Sequence, residues 1–247
     1  MYILYGGGVT RALGPQLVLE EGSIPYELRI VDELKGEHRM PEYLALNPAG
    51  YIPTLVTPEG EVLHEAAAMM VYLAERHELD ALIPRVGDPQ RGIFFCKLFY
   101  HTNEIQPSTS RFYRPYRYST DASHTKAIRE KAREDAFDRW AVLDQFLEEH
   151  GPCHLGRRFS LVDLHMAMWA AYGLETTSDV IERFSAVRRC FEVTASRPKV
   201  HPLIESLQSA MRHWRAATKP EERPGLKRDQ HDSDCRCATR TVATSQE

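Results

Sequence analysis

An isoleucine followed by a proline is the first feature of this sequence that could bind a ligand. Ile52 and Pro53 lie in the segment 46–55. A residue before proline is held extended, because the proline ring crowds its backbone. If the Ile52–Pro53 bond is cis, the backbone turns sharply and the N–H and C=O of Ile52 can pair with an extended peptide, as a strand would. The alternative interpretation is a trans proline at the start of an ordinary strand.

The start of a predicted helix supplies a second binding feature. Residues 66–76 are rich in helix-forming residues, with methionine and leucine at helical spacing. The first N–H groups of a helix have no partner within it, so the backbone at Ala66 can bind a carboxylate. The alternative is that Glu65 only adds a favourable negative charge near the helix dipole.

Three other motifs do not support a site. In the glycine run 6–8, the third glycine of G-x-G-x-x-G would fall at Arg11, so the pattern does not predict a dinucleotide site. His64 precedes a glutamate but lacks the second histidine of H-E-x-x-H. Cys235 and Cys237 are too few ligands for a soft metal. We therefore expect no metal site.

The first 80 residues alternate between strand and helix patterns in the order β-α-β-α-β-β-α. This order predicts an α/β domain over residues 1–80. The strands are predicted at 2–5, 26–31, 52–56 and 61–63, and the helices at 13–21, 41–46 and 66–76.

The rest of the chain is predicted to be helical, apart from a linker and a tail. Pro84, Gly87 and Pro89 mark residues 81–89 as a linker. Residues 90–217 are predicted to form an all-α domain. Residues 218–247 contain few large apolar side chains and are predicted to be disordered. Helices are predicted at 91–101, 126–150, 160–172, 181–195 and 202–217, and Ser160 with Asp163 forms a capping-box pattern that we assign to folding.

Composition excludes several classes of protein. Hydrophobic residues make up 43 % and charged residues 27 %, and the net charge is −4. This balance is typical of a soluble globular protein and does not predict nucleic acid as a partner. From the hydropathy of the sequence and of its first residues we expect neither a membrane span nor a signal peptide. Five scattered cysteines favour a reducing compartment, so we expect a cytoplasmic protein.

The motif N-P-x-G-x-I-P at 47–53, with Glu65 at a following helix start, resembles the signature of the cytosolic glutathione transferase family. Residues 19–27 resemble that family's first helix and second strand, and the Ser160–Asp163 pattern resembles the capping box of its central helix. The resemblance covers residues 1–217. It implies a thioredoxin-like domain followed by an all-helical domain.

The resemblance also implies which residues bind glutathione. In the family the proline is cis, and the residue before it hydrogen-bonds the cysteinyl part of glutathione, which points to Ile52 and Pro53. A Glu-Ser pair of the family binds the γ-glutamyl carboxylate. Here Glu65 is followed by Ala66, which lacks the serine hydroxyl.

The family places the thiolate-stabilising group near residues 9–12. Thr10 carries the only hydroxyl group in this segment, and Arg11 is the other residue that could stabilise the thiolate. The alternative interpretation of Thr10 is that it caps the first helix. The family places the electrophile pocket at the end of the second domain's first helix. Phe112, Tyr113 and Tyr116 lie there, with ordinary interdomain packing as their alternative.

These residues predict an enzyme that binds glutathione as a co-substrate and directs its thiolate onto a small hydrophobic electrophile. The resemblance also implies a homodimer, with no metal and no organic prosthetic group. The alternative is a non-catalytic binding or regulatory protein that kept the fold. Ala66 and the absence of the usual nucleophile-activating residue favour that alternative.

Overall fold

The computed structural model describes residues 1–217, apart from Leu34 and residues 175–177. The tail predicted at 218–247, with Cys235 and Cys237, lies outside the described residues. None of the described helices is both long and apolar enough to cross a membrane.

The N-terminal part is built on a four-stranded mixed sheet. Its strands are β1 (Tyr2–Gly6), β2 (Tyr26–Ile30), β3 (Thr54–Val56) and β4 (Val62–Leu63), in the order β2-β1-β3-β4. β1 runs parallel to β2 and antiparallel to β3, and β4 is antiparallel to β3. Leu4 lies opposite Leu28 and Leu55 in the centre of the sheet. Leu4 and Leu55 are fully buried, so this face of the sheet belongs to the core.

Three helices complete this part: α1 (Leu13–Glu21), α2 (Pro41–Leu44) and α3 (Ala66–Arg76). A short 3-10 turn, Glu37–Arg39, precedes α2. The order confirms the predicted thioredoxin-like domain. Several boundaries differ from the predicted ones by one or two residues. The third strand begins at Thr54, not at Ile52, because Pro53 has no N–H to donate to a strand ladder.

The remaining described residues are helical, as predicted. α4 (Arg91–Tyr100), a π-helical turn (His101–Ile105) and α5 (Gln106–Tyr113) follow one another without a break. Two 3-10 turns, Pro115–Tyr118 and Ala122–His124, lead to α6 (Thr125–His150). The other helices are α7 (Leu161–Tyr172), α8 (Ser178–Arg183), α9 (Ser185–Ala195) and α10 (His201–Ala217). Every residue of α7 is buried, so α7 is the central helix.

Two helix predictions need correction. The helix predicted at 91–101 continues to Tyr113 through the wider π-helical turn. This turn ends at Ile105, two residues before Pro107, whose missing N–H and bulky ring disturb regular α-helical hydrogen bonding. The helix predicted at 181–195 is two helices, because Phe184 adopts an extended conformation between them.

The predicted linker packs against the start of α7. Leu82 and Ile83 are buried, and the carbonyl of Leu82 accepts a hydrogen bond from the N–H of Leu161. Arg158 donates to Asp88 at 2.5 Å. Residues 81–89 therefore form neither helix nor strand, but several of them are held in place by the helical part of the chain.

Candidate functional site

A cavity of about 270 Å³ lies where the loop after β1, the segment before β3 and the start of α3 meet. It brings together three residues predicted from the sequence: Arg11, Pro53 and Glu65. Three separate elements supply these residues, so only the folded chain can form the cavity. The lining residues are Arg11, Asn47, Pro48, Ala49, Tyr51, Pro53, His64 and Glu65.

The segment 47–53 is held rigidly by its own polar side chains. Asn47 is buried, and its side-chain amide donates to the carbonyl of Tyr51 at 2.8 Å. The hydroxyl of Tyr43 donates to the same carbonyl at 2.7 Å. The Ile52–Pro53 bond is cis, which confirms that prediction. The backbone N–H and C=O of Ile52 make no hydrogen bond to another described residue, so both remain available to a ligand.

The start of α3 has an unusual backbone conformation. Glu65 has φ of +66°, in the region that favours glycine. Such a conformation in another residue costs about 1–3 kcal/mol and often occurs at ligand-binding sites. The side chain of Glu65 is exposed and does not cap the helix. Ala66 follows it and is buried, so the backbone alone supplies the first donors of α3.

Arg11 lies in the cavity wall with its charge uncompensated. Its guanidinium makes no hydrogen bond or ion pair with another described residue. Burial raises the pKa of Tyr43, and the nearby Arg11 charge offsets part of that rise. An unpaired guanidinium beside a cavity favours an anionic ligand or a thiolate.

Thr10 does not line the cavity. Its hydroxyl donates to the carbonyl of Gly7 at 2.8 Å and accepts from the N–H of Ala12 at 3.4 Å. These bonds hold the turn before α1. The structure therefore favours Arg11 over Thr10 as the group that could stabilise a thiolate.

Phe112 does not line an open pocket, which corrects the prediction made for it. Its side chain is fully buried, with the guanidinium carbons of Arg129 and Arg133 lying 4.6 and 5.4 Å from the ring centroid. Tyr113 and Tyr116 are half-buried outside the described cavity. Their role in an electrophile pocket stays a prediction.

His64 is a cavity residue that the sequence analysis missed, because it considered this histidine only as part of a zinc motif. Both ring nitrogens are enclosed and have no hydrogen-bond partner among the described residues. Its position between β4 and the start of α3 is the signal that could have identified it.

One group of three potential metal ligands comes together within the described residues. Donor atoms of His154, Asp163 and Cys190 lie within 4.8 Å of one another in the core. Asp163 accepts hydrogen bonds from the N–H of Ser160 at 2.7 Å and from Nδ1 of His154 at 2.7 Å. Burial alone would raise the pKa of Asp163, but these donors lower it. The capping box is confirmed, and its carboxylate is satisfied by the protein itself.

Sequence comparisons connect this geometry to known proteins. A family model described as "Glutathione S-transferase, N-terminal domain" matches residues 11–76. The chain is 32 % identical over 154 residues to glutathione S-transferase 2 of Anopheles gambiae, covering 60 % of this chain and 68 % of that protein. It is 28 % identical over 178 residues to maleylacetoacetate isomerase of Pseudomonas aeruginosa, covering 68 % of this chain and 78 % of that protein.

Solved structures have the same fold. A glutathione transferase homologue from Sulfitobacter with bound glutathione superposes with a TM-score of 0.72 at 22 % identity, covering 83 % of this chain and 97 % of that one. A glutathione transferase from Phanerochaete chrysosporium in complex with oxidised glutathione gives a TM-score of 0.73 at 23 % identity, covering 85 % and 97 %.

Proposed function

The chain belongs to the glutathione transferase family, and from this premise we propose that it binds glutathione in the cavity and transfers its thiolate to an electrophile. The observation that carries the proposal is the convergence of Arg11, Pro53 and Glu65 on one cavity. The match to glutathione transferase 2 and the glutathione-bound neighbours support it.

Each part of the cavity has a role in this proposal. The free N–H and C=O of Ile52 pair with the cysteinyl backbone of glutathione. The start of α3, at Glu65 and Ala66, binds the γ-glutamyl end through backbone N–H groups. Arg11, which also lines the cavity, stabilises the sulfur anion.

The reaction requires a thiolate at neutral pH. A free thiol has a pKa of about 8.5, and a nearby cation lowers it because the charge favours the ionised form. The thiolate then attacks an electrophilic carbon. A C–S bond forms, and the leaving group departs with the electrons of the bond that breaks. Arg11 is the group placed to lower the thiol pKa.

Replacing Arg11 tests this assignment. We expect Arg11→Gln to retain glutathione binding in calorimetry but to lower kcat with 1-chloro-2,4-dinitrobenzene about tenfold. The pH at which the rate reaches half its maximum should rise, because the bound thiol loses its stabilising charge. The exposed Arg85→Gln is the matched control. An unchanged pH profile in Arg11→Gln would contradict the role of Arg11.

A second candidate function is non-catalytic binding on the same fold. Ala66 and the turn-bound hydroxyl of Thr10 favour it, since both remove groups that the family uses. Glutathione binding without turnover of any electrophile would select this candidate. We further propose that the protein is a cytoplasmic homodimer, which light scattering on the purified protein and fractionation of its source cells would check.

A further inference from the structure

Two arginines that follow α5 share one glutamate that follows β2. Nη2 of Arg114, just after α5, donates to both carboxylate oxygens of Glu33, at 2.7 and 2.5 Å. Nη2 of Arg117 lies 3.9 Å from the same carboxylate. The side chains are only 22–35 % exposed, so water screens this group incompletely.

The ion cluster lies near the end of α7, because Tyr113, which directly precedes Arg114, donates its hydroxyl to the carbonyls of Tyr172 and Gly173 at 2.8 and 2.9 Å. Tyr172, at the end of α7, is fully buried, and burial raises its pKa. The charges of Arg114 and Arg11 both oppose that rise. The charges of Arg114 and of the cavity residue Arg11 therefore act on the same buried tyrosine at the end of α7.

The charges of the cluster do not balance. Two guanidiniums (Arg114 and Arg117) face one carboxylate (Glu33), which leaves an excess of one positive charge within the cluster, in a chain whose net charge is −4. His38, beside the cluster, adds no further charge at neutral pH, because burial lowers its pKa. Glu33 uses only Nη2 of Arg114, since Nε and Nη1 make no hydrogen bond to another described residue, so the guanidinium is not fully satisfied by this carboxylate.

We propose that Arg114 and Arg117 form a carboxylate-binding subsite for the electrophile, which Glu33 occupies until the substrate's own carboxylate replaces it. The proposal rests on the proposed transferase function and changes its substrate class, from a purely hydrophobic electrophile to one that carries a carboxylate. A guanidinium presents paired N–H donors that match the geometry of a carboxylate. When the substrate's carboxylate displaces Glu33 from the arginines, one ion pair is exchanged for another. A neutral substrate has no carboxylate that could take the place of Glu33.

A matched pair of electrophiles isolates this effect. In 4-chloro-3-nitrobenzoate and 4-chloro-3-nitrobenzamide the same ring carbon is attacked by the thiolate. The C–S bond forms, the C–Cl bond breaks, chloride leaves with the electron pair, and the thiol proton goes to solvent. The two rates are each divided by the uncatalysed rate with free glutathione, which removes the difference in intrinsic reactivity.

The variants have different expected effects on the two electrophiles. Arg114→Gln should lower the rate enhancement for the benzoate about tenfold, the effect of one charge-assisted contact, and leave the benzamide within about twofold. Arg117→Gln should have a smaller effect in the same direction. Glu33→Gln should raise kcat/KM for the benzoate, because the competing carboxylate is removed. The matched control is Arg189→Gln, an exposed arginine that pairs with Glu148.

An equilibrium measurement keeps the test independent of turnover. The glutathione conjugates of the two electrophiles are titrated into the parent chain and into Arg114→Gln by calorimetry. About tenfold weaker binding of the acid conjugate alone supports the subsite. Equal losses for both conjugates, no loss for either, or a matching rise in the KM for glutathione would overturn it. If the parent does not bind glutathione itself, the proposed function fails as well, so the two failures are distinguishable.

Discussion

At the scale of single residues, the candidate site departs from its family at the start of α3. The resemblance implies a serine after Glu65, but Ala66 is present and buried there. Glu65 nevertheless has a strained backbone, with φ of +66°. The proposed γ-glutamyl site therefore has backbone N–H donors but lacks the hydroxyl.

We expect Ala66→Ser to tighten glutathione binding about tenfold. The new hydroxyl adds a hydrogen bond to a charged carboxylate, worth ~1.5–3 kcal/mol. Calorimetry on both proteins in one buffer measures the change. Ala68→Ser, at an exposed position of the same helix, controls for the lower helix propensity of serine. Unchanged or weaker affinity in a folded Ala66→Ser protein would count against a γ-glutamyl site at this helix start.

At the scale of elements, α7 positions the helical domain, and its N-terminus is fixed by the capping box. Asp163 is wholly buried, and its carboxylate accepts from backbone and side-chain donors of Ser160 and His154. A buried carboxylate is stable only while such donors satisfy it.

We expect Asp163→Asn to lower the free energy of unfolding by about 3 kcal/mol or more, since buried donors lose a charged acceptor. Urea unfolding followed by circular dichroism measures it. Asp121→Asn is the matched control, because Asp121 also accepts from a backbone N–H, that of Ser123, but is exposed. The control should lose less than about 1 kcal/mol. An equal decrease in the free energy of unfolding in both variants would show that the burial of Asp163 contributes nothing to stability.

At the scale of the whole molecule, the sheet and the helices share one hydrophobic core. Leu4 of β1 and Trp140 of α6 belong to the same buried cluster. Arg197, after α9, forms an ion pair with Glu21 at the end of α1, with an N–O distance of 2.6 Å. We therefore treat unfolding of residues 1–217 as one cooperative transition. A change that destabilises either part should lower the free energy of unfolding of both.

Two buried histidines should make the protein sensitive to acid. Burial lowers the pKa of His101, and it lowers the pKa of His165 to about 3. In the unfolded chain a histidine titrates near ~6.5, so the unfolded state binds more protons below that pH. The free energy of unfolding should have its highest value above pH ~6.5. Below that pH it should fall by up to ~1.4 kcal/mol per pH unit for each histidine, as the pH drops towards the pKa values in the folded protein.

Urea unfolding at several pH values between ~5 and ~8 checks this sensitivity. His165→Leu should reduce the slope of unfolding free energy against pH by about one proton. Trp169→Phe removes the N–H that lies 3.3 Å from Nε2 of His165 but keeps both histidines. It should lower stability equally at every pH. If the slope of unfolding free energy against pH were the same in His165→Leu as in the parent chain, His165 would not be a source of the acid sensitivity.

The sequence by itself determined the features that depend on neighbours along the chain. Proline and glycine placement, helix periodicity and the Ser160–Asp163 spacing act within a few residues, so the order of elements and the capping box were predictable. The motif at 47–53, through the resemblance that it carries, indicated the segment that lines the candidate site. The limits of these local rules are visible at two helices: the one predicted to end at 101 continues past Pro107 to Tyr113, and the one predicted over 181–195 is interrupted at Phe184.

Only the tertiary structure decided which side chains share a site. Thr10 and Arg11 are adjacent in sequence, but one hydroxyl is bonded in a turn while the neighbouring guanidinium faces the cavity. Phe112 is buried beneath α6, although the sequence suggested a pocket. Arg114 meets Glu33 across 81 residues of chain. Such contacts depend on how elements pack, and no periodicity within one segment records the position of another.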